Sequence, residues 1–503
     1  MGRTGMEHGF APLNIISESE VHRIQEGILN VLETTGVVVE DAEILKLMEE
    51  GGCQVDRKEK RARFPREVVQ KYPDLFPGKY VLKARDPDND LHVTSGGNTF
   101  FMASSGTRLV DLKTGQTREP TRRDFHEAIK VLDYLEHVDL QTAFPYFGFT
   151  GVPGCLRVIE SAAAKFRASS KAIKEGATGD EYKWTTAMAK ALGCDVLQVA
   201  NSAAPLAFLK GFTDRLKYLS ENDMPMQLAP GPTRGFTAPV TVAGCTITNN
   251  AETIAAIVLS QMIKKGTRSL AVNMSLTPNM SNGLPGFGDI GNGLQDAVFN
   301  QVWRAYQIPC GTSSTSWTSA MTLDFQAGYE LSMMALISAL SGPSFIAVFS
   351  SLYAQMAASP VKSIIDNDLV GLIKRFGRGV EVSPETMGVD LINEVGPMPG
   401  TFLKTKHTFK WWRNECYLPA AANRITGARW FRDSGRGTIE LAEDKMADIL
   451  KKHQPRPLTA SQENDLEYIL NDARQYYRGQ GMISDEEWAV YQEDLKSPNY
   501  PYA

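Results

Sequence analysis

From about Thr121 the sequence alternates between short apolar runs and amphipathic runs, and this rhythm restricts the fold more than any other feature. Strand-like runs lie at 138–144, 171–177, 196–200, 224–229, 269–273, 308–312, 344–349 and 379–382. Helical runs lie between them at 155–168, 180–192, 213–222, 249–265, 294–306, 325–341 and 360–376. Thr121-x-x-Asp124 reads as the cap of a helix that puts Phe125, Ile129 and Leu132 on one face. Asn249 with Glu252 reads as the start of another. Strands that alternate with helices form a parallel sheet with the helices outside. Eight such strands are the number a closed (β/α)8 TIM barrel needs. The rival α/β arrangement is an open doubly wound sheet. It usually carries a glycine fingerprint after its first strand, and residues 144–154 contain none.

A barrel takes about 250 residues, so a chain of 503 has room for additions. The predicted division is an N-terminal α+β extension at 1–120, the catalytic barrel at 121–400 and a C-terminal helical flank at 401–503. In the extension, Ser17-x-x-Glu20 opens an amphipathic helix, and short strands follow near 61–64, 80–84 and 99–112. In the flank, Trp411, Trp412, Trp430 and Phe431 cluster among charged residues, and two helices follow near 438–453 and 461–478. Hydrophobic residues make up 43% of the chain and charged residues 22%, which suits a large globular core. The net charge of −5 and the lack of a Lys/Arg cluster argue against a nucleic-acid partner. The first twenty residues contain no apolar signal core, and the longest apolar stretch, 327–349, is interrupted by Glu330 and Gly342-Pro343. A cytoplasmic protein without a membrane segment is therefore expected.

Few motifs carry chemistry by themselves. Gly286-x-Gly288-x-x-Gly291 has the letters of a dinucleotide fingerprint, but it follows Leu284-Pro285 instead of a strand, so it reads as a loop over the barrel mouth. No two of the seven histidines stand four apart, and no metal site is expected. The six cysteines show no paired spacing and read as core thiols. No nucleophile elbow is present. Gln326 and Glu330, behind Asp324, share one face of a helix and are candidates for orienting a substrate, or simply for capping and solvation. Aromatic residues collect near predicted strand ends: Phe144, Tyr146 and Phe147, then Trp317, then Phe349 and Tyr353. Strand ends face the active site of a barrel, and ring faces attract quaternary ammonium. Trp317, Phe349, Tyr353 and Tyr146 are thus candidate walls of a cation site, with core packing as the ordinary alternative.

Several segments, taken in order, resemble the trimethylamine methyltransferase family. They are Pro230-Gly-Pro-Thr-Arg-Gly-Phe-Thr-Ala-Pro-Val-Thr-Val-Ala-Gly244, Asp324-Phe-Gln-Ala-Gly-Tyr-Glu330, Ile365-Asp-Asn-Asp368, and Phe402-Leu403 with His407-Thr408 and Arg413-x-Glu415. The trimethylamine enzymes place pyrrolysine directly before the second segment, where this chain has Leu323. The resemblance is therefore to the non-pyrrolysine branch, which includes glycine betaine methyltransferase. It implies methyl transfer from a small quaternary amine, such as glycine betaine, proline betaine or carnitine, to Co(I) of a corrinoid (cobalamin). It also implies that Gln326, Glu330 and the Leu323 position belong to the catalytic region. The corrinoid is expected on a separate cognate protein, because Asp90-Leu-His-Val-Thr-Ser95 only approximates a D-x-H-x-x-G cobalamin motif. Arg234 is the candidate anchor for a betaine carboxylate, with His407 as the second, and a homo-oligomer is expected. The alternatives are a barrel that binds a betaine or the corrinoid protein without catalysis, and an unrelated barrel lyase or hydrolase.

Overall fold

The structure is a computed structural model that describes residues 2–71, 76–104, 106–142, 148–176, 179–432, 435–497 and 500–501. Its centre is a closed barrel of eight parallel strands. In chain order these are β1 (Phe100–Ala103), β2 (Leu140–Gln141), β3 (Ala172–Glu175), β4 (Val196–Ala200), β5 (Met226–Leu228), β6 (Ser269–Asn273), β7 (Cys310–Thr312) and β8 (Phe345–Phe349). Each is followed by a helix: α1 (Arg122–Tyr134), α2 (Arg157–Ala168), α3 (Tyr182–Ala191), α4 (Lys210–Glu221), α5 (Val242–Ile263), α6 (Ile290–Ala305), α7 (Phe325–Leu340) and α8 (Pro360–Gly377). The chain is a (β/α)8 TIM barrel with flanking additions.

Three of the sequence assignments need correction. The first barrel strand is Phe100–Ala103, inside the segment read as the N-terminal extension. It pairs with β8 through Phe345↔Phe100 and with β2 through Met102↔Leu140, and so closes the ring. The run at 379–382 is not a strand. It follows α8, Gly379 has φ +69°, and Val380 and Val382 are 82% and 75% exposed. With β8 already paired to β1, no free edge is left for it. Helix α5 also begins earlier than expected, capped by Thr241 Oγ1 on the Gly244 amide. Asn249 and Glu252 are fully buried within it instead of starting it. This helix is long and apolar enough to cross a membrane by composition, but 72% of that window is buried against the rest of the fold.

Side chains alternate between lumen and helix layer along each strand. Phe100, Met102, Leu140, Ala172, Leu197, Leu270, Val272, Phe345 and Ala347 fill the lumen. A hairpin of Lys79–Leu82 and Leu91–Thr94 joins that cluster through Leu82, Leu91 and Val93. It lies at the N-terminal end of the strands. There Asp195, just before β4, accepts the Lys83 amide at 2.9 Å and pairs with Arg268, just before β6, at 2.7 Å. One end of the barrel is thus plugged, and only the C-terminal end is available to ligands. Asp90 and His92 belong to this plug, on the opposite side from the mouth.

The C-terminal helices Thr438–Lys452, Ala460–Gly479 and Asp485–Leu495 pack on the barrel. Glu160 of α2, 1% exposed, accepts Arg474 Nη2 at 2.7 Å and the Tyr491 hydroxyl, with Arg122 Nη1 at 3.7 Å. Between α8 and these helices, four short helices (Pro384–Met387, Val389–Val395, Lys406–Glu415 and Gly427–Arg432) contain no buried residue. Replacing Arg474 leaves a carboxylate interred with a weaker partner. Arg474→Ala is expected to lose about 3–5 kcal/mol, seen as a lower urea midpoint with an unchanged circular dichroism spectrum before the transition.

Candidate functional site

The loops after the strands build a cavity of about 290 Å³ at the open end of the barrel. Its walls are Lys174 of β3, Val199 of β4, Gln227 of β5 and Ala347 of β8, all on the lumen face. Ser104, Thr142, Asn201, Met274 and Ser313 come from just beyond the ends of β1, β2, β4, β6 and β7. Ala354, Gln355 and Met356 line it from the loop after β8. This volume lies at the lower limit of ligand pockets and suits a small molecule. Among the described lining residues, none is acidic and none is aromatic.

Among the described lining residues the one ionisable group is Lys174. The ammonium contacts Met102 Sδ at 3.9 Å and has no ion pair among the described residues. Burial, reinforced by Lys165, pulls its pKa down to about 8 against the opposing effect of Glu175. Glu175 points the other way, into the helix layer, where it pairs with Lys165 of α2 in full burial. Gln227, 1% exposed, has an Oε1 without a hydrogen-bond partner among the described residues.

The loop after β8 is held in a strained path. Ser350, Tyr353, Ala354 and Gln355 have φ of 80°, 47°, 55° and 63°, in the left-handed region that disfavours side chains. The strain is opposed by fixed contacts. The Ser350 amide donates to Asp366 at 2.8 Å, the Tyr353 amide to the Ala320 carbonyl at 3.0 Å, and the Ala354 amide to the Thr318 carbonyl at 2.8 Å. Gln355 Nε2 reaches Ser104 Oγ at 3.2 Å, and Ser316 Oγ reaches the same oxygen at 2.9 Å. Asp366 is itself paired with Lys362 at 2.7 Å, both buried.

Gln326 and Glu330 come together, Nε2 to Oε1 at 2.9 Å. Glu330 Oε2 accepts the Thr318 hydroxyl and, at 3.1 Å, the Ser319 amide, so this carboxylate clamps the loop after β7. The loop after β6 lies against it. A Cβ at Gly288, where φ is +77°, would stand 2.4 Å from Glu330 Cδ, and one at Gly291 would stand 2.6 Å from an Arg234 guanidinium nitrogen. The glycines that imitate a nucleotide fingerprint allow these close approaches. Glu330 and Phe287 line a second, outer recess of about 580 Å³ between this loop and α7.

The remaining sequence candidates are scattered. Trp317 is 2% exposed and packs edge-on against Phe287 at 5.4 Å, with its indole N–H unpartnered, and is not among the lining residues of the inner cavity. Phe349 is fully buried on the helix side of β8, in a cluster with Phe101 and Ala103. It faces away from the mouth because it follows a bulge between Ala347 and Phe349. Tyr353 is 41% exposed on the rim. Tyr146, with Phe144 and Phe147, falls outside the described residues. Leu323 packs against an apolar cluster that includes Val110, Leu112 and Ala327, and is not among the lining residues of the inner cavity. Arg234 is 6% exposed, one of its Nη atoms has no partner, and burial pulls its pKa below the usual value. It sits at the start of α6 with Asp289 and not on the inner cavity wall. His407 bonds the Glu385 carbonyl at 3.1 Å on the exposed flank. Sequence reading passed over Lys174 and Gln227, whose only signal is a polar residue inside an apolar strand run.

Comparison with known proteins identifies the chain's relatives. The family described as "Trimethylamine methyltransferase (MTTB)" matches residues 3–475. Trimethylamine methyltransferase MttB of Desulfitobacterium hafniense (strain DSM 10664 / DCB-2) is 26% identical over 473 residues, covering 92% of this chain and 94% of that one. Glycine betaine methyltransferase of Desulfitobacterium hafniense (strain Y51) is 28% identical over 460 residues, covering 88% and 94%. Among solved structures, the Methanosarcina barkeri monomethylamine methyltransferase (MtmB) superposes with a TM-score of 0.48 at 12% identity, covering 86% of this chain and 92% of that one.

Removing the Glu330 carboxylate orphans the Ser319 amide and the Thr318 hydroxyl. Glu330→Ala is expected to cost about 1–3 kcal/mol in chemical denaturation and to speed proteolytic nicking within residues 277–289. Unchanged stability and nicking would refute the clamp.

Proposed function

The chain belongs to the trimethylamine methyltransferase family, and from that premise we propose that it moves a methyl group from a small quaternary amine to Co(I) of a corrinoid carried by a separate protein. The observation that carries this reading is the family match along nearly the whole chain. A quaternary nitrogen carries a permanent positive charge. When Co(I) donates its electron pair to a methyl carbon, the C–N pair stays on nitrogen and a neutral tertiary amine leaves. No proton is transferred, so no general acid is needed. The described lining residues include no carboxylate, histidine or cysteine, and Lys174 is the ionisable group among them. What remains for the protein is to hold the amine, align its C–N bond with the open mouth and exclude water. The loop after β8 would provide both alignment and cover.

The acceptor has to approach from outside. The loops at this end of the barrel expose apolar residues: Phe236 is 59%, Leu284 62%, Met280 71% and Phe325 84% exposed. Exposed apolar groups concentrated around a cavity mark a contact surface, and here they suit a corrinoid protein lowered onto the mouth. The segment 90–95 belongs to the plug at the other end, which favours a corrinoid held by the partner and not by this chain. The flank offers a second apolar surface, with Leu403 78%, Phe409 76% and Phe431 76% exposed. We assign it to self-association into a homo-oligomer, and the working site to the cytoplasm.

Two tests follow. Mixed with the reduced cognate corrinoid protein, the chain is expected to methylate cobalt from glycine betaine or another quaternary amine and not from trimethylamine, read by the change in corrinoid absorbance. Failure with every quaternary amine, while one of them still binds, would instead favour a binding role. Phe325→Asp is expected to raise the corrinoid-protein concentration needed for half-maximal rate by about 10-fold or more, with amine affinity unchanged. An equal effect on both would remove the rim from the docking surface.

A further inference from the structure

The geometry points to Lys174 as the group that selects the substrate: it holds the carboxylate of a zwitterionic amine at the floor of the mouth cavity and repels amines that are only cationic. The inference rests on the methyltransferase reading above and assigns the anchoring role to a residue other than Arg234.

Three observations support it. First, Lys174 is on the lumen face of β3 and lines the cavity, with its ammonium 3.9 Å from Met102 Sδ, and Met102 is fully buried in the barrel interior. The charge is therefore at the inner end of the cavity, away from the opening. Second, no described lining residue is acidic, so among the described residues the cavity presents one positive charge without a counter-charge. Among the described residues the carboxylate that acts on Lys174 is Glu175, which is behind the barrel wall and already paired with Lys165. An ammonium that is half-buried in the barrel mouth without a counter-charge attracts an anion. Third, Gln227 brings a buried amide oxygen without a partner among the described residues to the same cavity. Such an oxygen suits N-methyl groups that carry positive charge, and a choline-like cation offers the lysine only a neutral hydroxyl and no negative charge.

The orientation this implies also suits the chemistry. With the carboxylate at the inner end, the trimethylammonium head faces the open end, where an acceptor can reach a methyl carbon. A purely cationic amine would instead have to bring a second positive charge into the cavity with Lys174. Trimethylamine, mostly protonated at neutral pH, is disfavoured for the same reason. Selectivity between quaternary amines then arises from charge balance and not from a shaped aromatic box.

Binding can be measured without the corrinoid partner, so the inference fails or survives separately from catalysis. Calorimetry would use glycine betaine and, as the cation without a carboxylate, choline, on the full chain and on Lys174→Met and Lys174→Arg. Wild type should bind glycine betaine and reject choline. Lys174→Met should lose roughly 10- to 150-fold in glycine betaine affinity and gain affinity for choline, while Lys174→Arg should keep most of the preference. Removing a half-buried charge that has no ion pair among the described residues is not expected to lower stability, and thermal denaturation checks this. Glycine betaine affinity of wild type should also fall as pH rises through about 8, as the ammonium, held down by burial and Lys165 against Glu175, loses its proton. Lys174→Arg should flatten that profile. The inference is overturned if Lys174→Met binds glycine betaine like wild type, if both ligands weaken equally, or if wild type binds choline as well as glycine betaine or binds neither. A variant series that discriminates as expected in a protein that never methylates cobalt would leave the anchor standing and refute the methyltransferase reading.

Discussion

Closing eight strands into a ring gives each strand residue only two destinations, the lumen or the helix layer. Most of what distinguishes this molecule follows from that. Lys174 and Glu175 are neighbours in sequence, and in an open loop they would neutralise each other. The pleat separates them. Glu175 goes outward to Lys165 of α2, and Lys174 goes inward, where no described carboxylate meets it. A shift of one residue in β3 would exchange them and turn a cationic cavity into an anionic one. The pairings Ile173↔Val196 and Ala172↔Leu140 hold that strand in place on both sides.

The same two-faced geometry explains which parts of the fold could be read from sequence. Buried parallel strands are apolar on both faces, so most appear as short apolar runs between helices, and seven of the eight runs predicted correspond to barrel strands. The exceptions have physical causes. Phe100–Ala103 lies in the run near 99–112 that reads as a strand, but it stands before the strand–helix rhythm begins and so is assigned to the extension instead of the barrel. Residues 379–382 alternate in polarity as a strand does, but β8 spends its second edge on β1. Asn249 and Glu252 look like a helix start because polar residues usually mark one. Here they are buried inside α5, where Asn249 bonds Asn273 at 3.3 Å and Asn273 bonds Asp296 at 2.6 Å.

The site was less legible, because its parts come from loops that meet only when the barrel closes. Gln326 and Glu330 could be paired by their spacing. Their partners Thr318 and Ser319, and the Gly288 that lets the loop after β6 press on Glu330, belong to other elements. Their position accounts for the clamp and not for contact with a ligand in the inner cavity. Phe349 was placed at the mouth from the end of its strand, and the bulge after Ala347 turns it to the other face. Nothing in a single sequence signals a bulge of that kind. Lys174 was overlooked for the opposite reason. A lysine in a short strand reads as a solvated residue, and only closure of the ring shows that its side of the strand is the lumen.

The loop after β8 joins these parts. Four non-glycine residues with positive φ cost of order 1–3 kcal/mol each if unsupported, and the loop tolerates them because contacts from several elements oppose the strain. Asp366 of α8 holds Ser350, the Thr318 and Ala320 carbonyls hold the next turn, and Ser104 beyond β1 holds Gln355. Glu330 in turn fixes Thr318. The clamp on α7 therefore reaches the inner cavity through a continuous set of hydrogen bonds, from Glu330 to Thr318 to Ala354, and the cover over Lys174 is set by a carboxylate that never enters the cavity. This gives Glu330 and Gln326 a part in the chemistry proposed for the mouth without contact with the amine. They keep in register the loop under which a small zwitterion would lie.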